Sequence, residues 1–218
     1  PVSGTARKEH IVSAIHERFC LTNVHYDIVY TQAAGHASEL AKKAIQEKYT
    51  AVVAVGGDGT VNEVAQVLIH SPLHLGIIPQ GSGNGLARHL GIPMDTTKAI
   101  ERLLSPKSMK IDAAKANGNY FFCTSGVGFD AHVSASFAAR THRGLSGYIF
   151  FALQEGFGYR PLTYTIEWHG RVLHTEAFLI AVANSTQYGN NAYIAPQADI
   201  QDGQLDVCII KPFPKRHA

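Results

Sequence analysis

Two short apolar runs limit what this chain can fold into. Ala51–Val55 (AVVAV) and Leu75–Pro79 (LGIIP) each stop at a cluster of glycines and then give way to a helical pattern. Short runs without polar alternation are the mark of buried parallel strands, and each such strand needs a crossover helix to reach the next. The chain supplies the helices. Ser38–Lys48 reads as one, with Ser38 as its N-cap, and Asn62–His70 as another, with Val61, Val64, Ala65 and Leu68 on one face. A short helix runs from the second glycine cluster to Leu90, and Thr96–Leu104 forms a further one. Asn23–Tyr30 alternates as an additional strand. Alternating strand and helix predicts an α/β layer with a parallel sheet over residues 1–109.

The second half has a different character. Lys110–Ala116 and Tyr120–Ser125 read as strands around Asn117-Gly118-Asn119, and Asp130–Ala139 and Leu145–Phe157 as helices. Leu162–Trp168, Arg171–Ala183 and Gln204–Ile210 follow as strands joined at His169-Gly170 and Asp202-Gly203. This pattern is predominantly antiparallel, so the boundary is placed near residue 110 and a β-rich domain over 110–218.

Composition removes several function classes. A net charge of +2 argues against nucleic acid as a partner, because a basic stripe is expected of such binders. The 3 cysteines form no CxxC pair, which fits a reducing compartment and excludes a cysteine zinc site. The longest apolar run, Ala177–Ala183, is far too short to span a membrane, and no signal peptide opens the chain. A cytoplasmic protein is expected. The 12 histidines make no HExxH pair, and there is no GxxxxGK[ST] loop, HRD, DFG or GxSxG.

What remains is the glycine itself. Eight of the 20 glycines fall between Gly56 and Gly91. In Gly56-Gly57-Asp58-Gly59-Thr60 they follow a buried strand and open a helix, where backbone amides and the positive helix end together attract an anion such as phosphate. An acid in such a turn is unfavourable unless a divalent cation stands between it and the phosphate, which makes Asp58 a candidate Mg²⁺ ligand, directly or through water. The alternative is a compact β–α turn in which Asp58 caps the helix. Gly81-Ser82-Gly83-Asn84-Gly85 is a second turn of the same kind, and Ser3-Gly4 would supply a third.

At these residues the chain resembles the catalytic region of diacylglycerol kinase-like lipid kinases, a group that includes bacterial lipid kinases and the sphingosine and ceramide kinases. The motifs are Val55-Gly56-Gly57-Asp58-Gly59-Thr60-Val61-Asn62-Glu63, Pro79-Gln80-Gly81-Ser82-Gly83-Asn84 and Pro1-Val2-Ser3-Gly4. Gly126-Val127-Gly128-Phe129-Asp130, Ala183-Asn184-Ser185, Ala195-Pro196, Ala198 and Asp202-Gly203 continue the likeness along nearly the whole chain. The resemblance implies an N-terminal α/β domain like that of NAD kinase and phosphofructokinase, and a C-terminal β-sandwich carrying part of the lipid site. It implies that ATP contacts Ser3, Gly4, Thr31, Gly56, Gly57, Asp58, Gly59, Thr60, Val61, Asn62 and Ser82, with Asp58 as the catalytic acid that positions Mg²⁺. Asp130 would face the lipid headgroup. A structural Mg²⁺ would sit at Asp199, Asp202 and Gln204, the first and last acting through their carbonyls. The implied partners are ATP and a lipid substrate at the membrane surface, with peripheral membrane association; a homodimer is compatible with this reading.

Two departures matter. Gly85 stands where many bacterial members carry an acid, which leans the motif toward the sphingosine and ceramide kinase style. The family's general base is a glutamate in an Asp-Gly-Glu motif, whereas Asp202-Gly203 is followed here by Gln204. The chain thus reads as a segment trimmed at both ends, with weak or absent kinase activity expected. Asp58→Ala is expected to abolish turnover and leave the fold intact. A catalytically inactive nucleotide- or lipid-binding module and an NAD kinase are the alternatives. Gly126–Ala131 also fits a GxGxxG/A dinucleotide pattern, but no acid follows about 20 residues on. Tyr148, Phe151, Phe157 and Tyr159 beside Arg140, Arg143 and Arg160 suggest an apolar cleft with a basic rim.

Overall fold

The computed structural model describes residues 5–138, 155–156 and 158–213. The chain forms two compact units, one of Pro1–Phe122 with Gly189–Asn191 and the other of Cys123–Tyr188 with Ala192–Ala218. The helix expected over 145–157 lies almost wholly outside the described residues, as do Tyr148, Phe151, Phe157, Arg140 and Arg143 of the aromatic and basic cluster.

In the first unit, β1 (Ala51–Gly56) and β2 (His74–Pro79) pair in parallel, from Ala51 opposite His74 to Gly56 opposite Pro79. Both strands therefore end at one level, and the two glycine turns leave the same edge side by side. The helices are α1 (Thr5–Phe19), α2 (His36–Gln46), α3 (Asp58–Leu68), α4 (Gly85–His89) and α5 (Thr96–Leu104). The core on one side is Ile78 of β2 against Ala99 and Ile100 of α5, closed over by Ala14, Ile15 and Phe19 of α1 with Ile92 and Leu103. Burying an isoleucine of this kind contributes about 1.5–3 kcal/mol. Val61, Val64, Ala65 and Leu68 form the buried stripe of α3, the face read from the sequence.

Three local expectations are corrected. Residues 24–30 keep their alternation, with Tyr26 and Ile28 half-buried, yet form no strand. Val24, Val29 and Tyr30 stay more than half exposed. Tyr26 is held by its side chain instead: its hydroxyl lies 2.6 Å from Nδ1 of His16 and its ring packs edge-on against Phe19. The helix expected from Asn62 begins four residues earlier, at Asp58, so the glycine motif is itself the first helical turn. Likewise α2 starts at His36, with Gly35 and not Ser38 as its N-cap.

Two short pairs, β3 (Ala114–Ala116) with β4 (Asn119–Phe121) and β9 (Gln187–Gly189) with β10 (Ala192–Tyr193), stand apart from the larger sheets. In the second unit, β5 (Thr124–Gly128), β8 (Leu179–Ala183) and β11 (Asp206–Ile210) form an antiparallel sheet with β8 at the centre. That position explains why Leu179, Ile180, Ala181 and Ala183 are all buried. The hairpin of β6 (Leu162–Trp168) and β7 (Arg171–Ala177) turns at His169 and Gly170, both with positive φ, as the sequence predicts. The single strand expected over Arg171–Ala183 is in fact β7 and β8, parted at Phe178. Helix α6 (Phe129–Ala138) follows β5 directly. Gly126 and Gly128 lie within a strand paired antiparallel to β8, so they do not make a dinucleotide turn. Among the described residues no helix is long and apolar enough to cross a membrane.

Candidate functional site

The first glycine turn leaves β1 at Gly56, and Gly57 is the extended N-cap of α3, with no side chain capping it. The amides of Asp58, Gly59 and Thr60 lie in the first helical turn and have no acceptor within the helix. The neighbouring helices differ. The Asp95 side chain accepts from Lys98 N at the start of α5. At α4, Asp58 Oδ2 accepts from Asn84 N at 2.8 Å and Oδ1 from Gly85 N at 2.7 Å. At α2, Glu63 Oε1 accepts from Gly35 N and Oε2 from Ala37 N. Thus the acids of α3 cap the helices on either side, while among the described residues no side chain is bonded to the amides at the N-terminus of α3. Asp58 caps a helix, as the structural alternative held, but a different helix from the one it begins.

The second turn is heavily constrained. Asn84, in the left-handed region at φ 51°, accepts from Gly81 N through Oδ1 at 2.9 Å and donates Nδ2 to Gly81 O at 2.7 Å. The carbonyl of Gly83 accepts from Arg88 Nε and from Asn190 N. The two turns touch through their backbones: a Cβ on Gly81 would lie 2.6 Å from Gly57 Cα. Gly189, at φ 125°, bridges to Asn84, and a Cβ there would come within 2.7 Å of the Gly83 backbone. The sequence carries little sign of this Gly189–Asn190 contact beyond an isolated Tyr-Gly-Asn-Asn.

Beside the second turn is an open cavity of about 360 Å³ lined by Gln80, Gly81, Asn84, Arg88, Met94 and Thr96, among others. Gln80 Nε2 donates to Thr96 Oγ1 at 2.8 Å. The half-buried Arg88 has no salt-bridge partner among the described residues, and its bond to Gly83 O holds it in place.

The other expected contacts fall as follows. Gly56, Gly57, Asp58, Gly59 and Thr60 are brought together with Ser82 by the touching turns, and the Thr60 side chain folds over Gly56. Val61 is buried, with its side chain in the core, and Asn62 is half-buried on α3. Thr31 is half-buried in the segment that leads into α2. Ser3 and Gly4 lie outside the described residues.

The second unit carries Asp130 at the start of α6. Burial pushes its carboxyl above the ordinary value, while bonds from Ala131 N and from the Tyr188 hydroxyl at 3.1 Å oppose the rise. Phe129, Tyr159, Phe178 and Phe213 form a chain of ring contacts beside it, at centroid distances of 4.5–5.3 Å. Burial, the Tyr164 phenol and the Asp130 charge push the Tyr159 phenol up to about 12. Asp199 and Asp202 share an exposed turn with Gln204, and each folds one oxygen onto an amide two residues on, at 2.9 Å. The second oxygen of each carboxylate and the backbone carbonyls suit a hard cation. No group of three or more His, Cys, Asp or Glu side chains is placed to hold a metal among the described residues.

A parallel α/β unit with paired glycine turns, followed in the same chain by an antiparallel β unit, is the arrangement that the resemblance to the diacylglycerol kinase-like class implies. The diacylglycerol kinase catalytic domain family model matches residues 1–116, and that of the YegS C-terminal NAD kinase beta sandwich-like domain matches residues 124–218. The chain belongs to the diacylglycerol kinase family. It is 31% identical over 219 residues to the diacylglycerol kinase of Bacillus subtilis (strain 168), covering 97% of this chain and 71% of the relative. It is 30% identical over 195 residues to a "Probable lipid kinase YegS-like" of Chromohalobacter salexigens, covering 87% of this chain and 63% of that protein. The crystal structure of a diacylglycerol kinase from Bacillus anthracis str. Sterne superimposes with a TM-score of 0.77 at 25% identity, over 93% of this chain and 70% of the other. The α/β fold with a parallel sheet and the antiparallel β-sandwich are as the sequence predicts.

Proposed function

We propose that this protein transfers the γ-phosphoryl group of ATP to the hydroxyl of a lipid, diacylglycerol or a related one. The observation that carries the reading is the N-terminus of α3. Asp58, Gly59 and Thr60 present amides that no side chain caps among the described residues, where β1 ends, while α2, α4 and α5 are capped by carboxylates. A helix end left open beside a turn into which no side chain fits is suited to phosphate.

In this reading Gly56, Gly57, Gly59, Thr60 and Ser82 hold the phosphates, with Ser3, Gly4, Thr31, Val61 and Asn62 as further ATP contacts. The core position of Val61 leaves only its backbone for this. The bonds to Asn84 and Gly85 take one lone pair from each Asp58 oxygen, so the carboxylate keeps sites for Mg²⁺, directly or through water. Bound Mg²⁺ supplies charge neutralisation at the phosphate oxygens. Asp199 and Gln204 through their carbonyls, and Asp202 through its free oxygen, would hold a structural Mg²⁺. Asp130 and the Tyr188 hydroxyl form a half-buried polar pair beside an aromatic cluster, which suits the headgroup of an amphiphile at a membrane surface. Gln204 carries an amide, which does not serve as a base.

The test is transfer from γ-labelled ATP, resolved by thin-layer chromatography, with diacylglycerol, sphingosine and NAD offered in turn. Slow labelling of diacylglycerol is expected. Labelled phospho-NAD with no labelled lipid would overturn the reading, and so would tight ATP binding with no transfer to any acceptor.

A further inference from the structure

We infer that Glu63 is a positioning residue for nucleotide binding, acting through the turn at residues 31–35 and not through contact with the nucleotide. This rests on the phosphate-site reading of α3. Glu63 lies well past the first turn of α3, too far along to cap its own helix. Its carboxylate reaches α2 instead, where Oε1 accepts from Gly35 N at 3.0 Å and Oε2 from Ala37 N at 3.2 Å. The backbone of the same residue accepts from Ser38 Oγ at 2.8 Å, and Gln32 N donates to His36 Nδ1 across the turn. One residue of α3 thereby fixes both the start of α2 and the loop that carries Thr31.

The charge matters as well as the bonds. A carboxylate beside the positive end of α2 stabilises that helix. Together with Asp58 on α4, it leaves α3 the uncapped end among α2, α3, α4 and α5. Gln at this position keeps one acceptor oxygen and loses the charge, so it holds one of the two amides. Ala holds neither.

The experiment combines amide hydrogen exchange on the nucleotide-free protein with Mg-ATP titration and steady-state kinetics, for wild type, E63Q and E63A. Exchange at Gly35 and Ala37 is expected to rise about tenfold in E63A, with the amides joining β1 and β2 unchanged. KM for ATP is expected to rise about tenfold with kcat within about twofold of wild type, and E63Q to fall between. Unchanged exchange at Gly35 and Ala37 would overturn the inference. A fall in kcat with KM unchanged would overturn it too, since that is the signature of a group acting in the chemical step. If wild type binds no Mg-ATP, the phosphate-site reading and the positioning role both fail, while faster exchange in E63A would still show the clamp to be real.

Discussion

Asp58→Ala removes both oxygens that tie the first glycine turn to the second. The amides of Asn84 and Gly85 then lose their acceptor, and both residues are buried, Asn84 with 6% of its surface exposed. Leaving a buried amide without a partner costs about 1–3 kcal/mol. Loss of a helix cap costs about 1 kcal/mol and describes part of the same deficit. Asp58 itself is exposed, and water can enter the gap, so the low part of that range applies to each amide and the sum is about 2 kcal/mol. For a unit of this size that corresponds to a melting point lower by about 10 °C. Asp58→Asn keeps one acceptor oxygen and should lose about half as much. The assay is differential scanning calorimetry without nucleotide, checked by urea titration. The sequence alone predicts an intact fold with no turnover; the structure adds a stability cost that precedes any effect on catalysis. If Asp58→Ala melts within about 2 °C of wild type, the clamp does not hold the turns together and the reasoning fails.

Two further outcomes follow from the same geometry. Gly189→Ala places a Cβ 2.7 Å from the Gly83 backbone at a φ that L residues avoid, so it should cost about 2–3 kcal/mol and speed exchange of the Asn190 amide; an unchanged urea midpoint would show that residues 189–191 are not docked on the turn. Burial raises the Asp130 carboxyl in the folded protein, so the native state binds more protons than the unfolded one. Its contribution is therefore complete below the ordinary carboxylate value and is lost as pH rises through the raised one. Asp130→Asn should gain stability relative to wild type as pH climbs from about 4 toward neutrality, and parallel melting curves for the two would refute this.

The legibility of the sequence was uneven for physical reasons. His74–Pro79 is legible because Ile77, Ile78 and Pro79 are buried and apolar, whereas Ala51–Gly56 is not the fully buried strand its composition suggests. Ala54 is buried but Ala51, Val53 and Val55 are exposed, so the apolar run and the glycines mark where the strand lies and stops and not how far it is covered. Residues 24–30 misled because alternation reports which side chains face inward, not whether a neighbouring backbone is within reach. Asp58-Gly59-Thr60 reads as turn because aspartate and glycine are weak helix formers, yet the strand end and the Gly57 cap start α3 there.

By itself the sequence determined the parallel α/β unit, the antiparallel unit and the two glycine turns, because periodicity and glycine placement are local properties of the chain. Tertiary structure alone decided where each carboxylate points. Asp58 and Glu63 each had several helix ends within conceivable reach, and their partners lie 26–28 residues away along the chain. Only the packing of α2, α3 and α4 brings those amides to the oxygens.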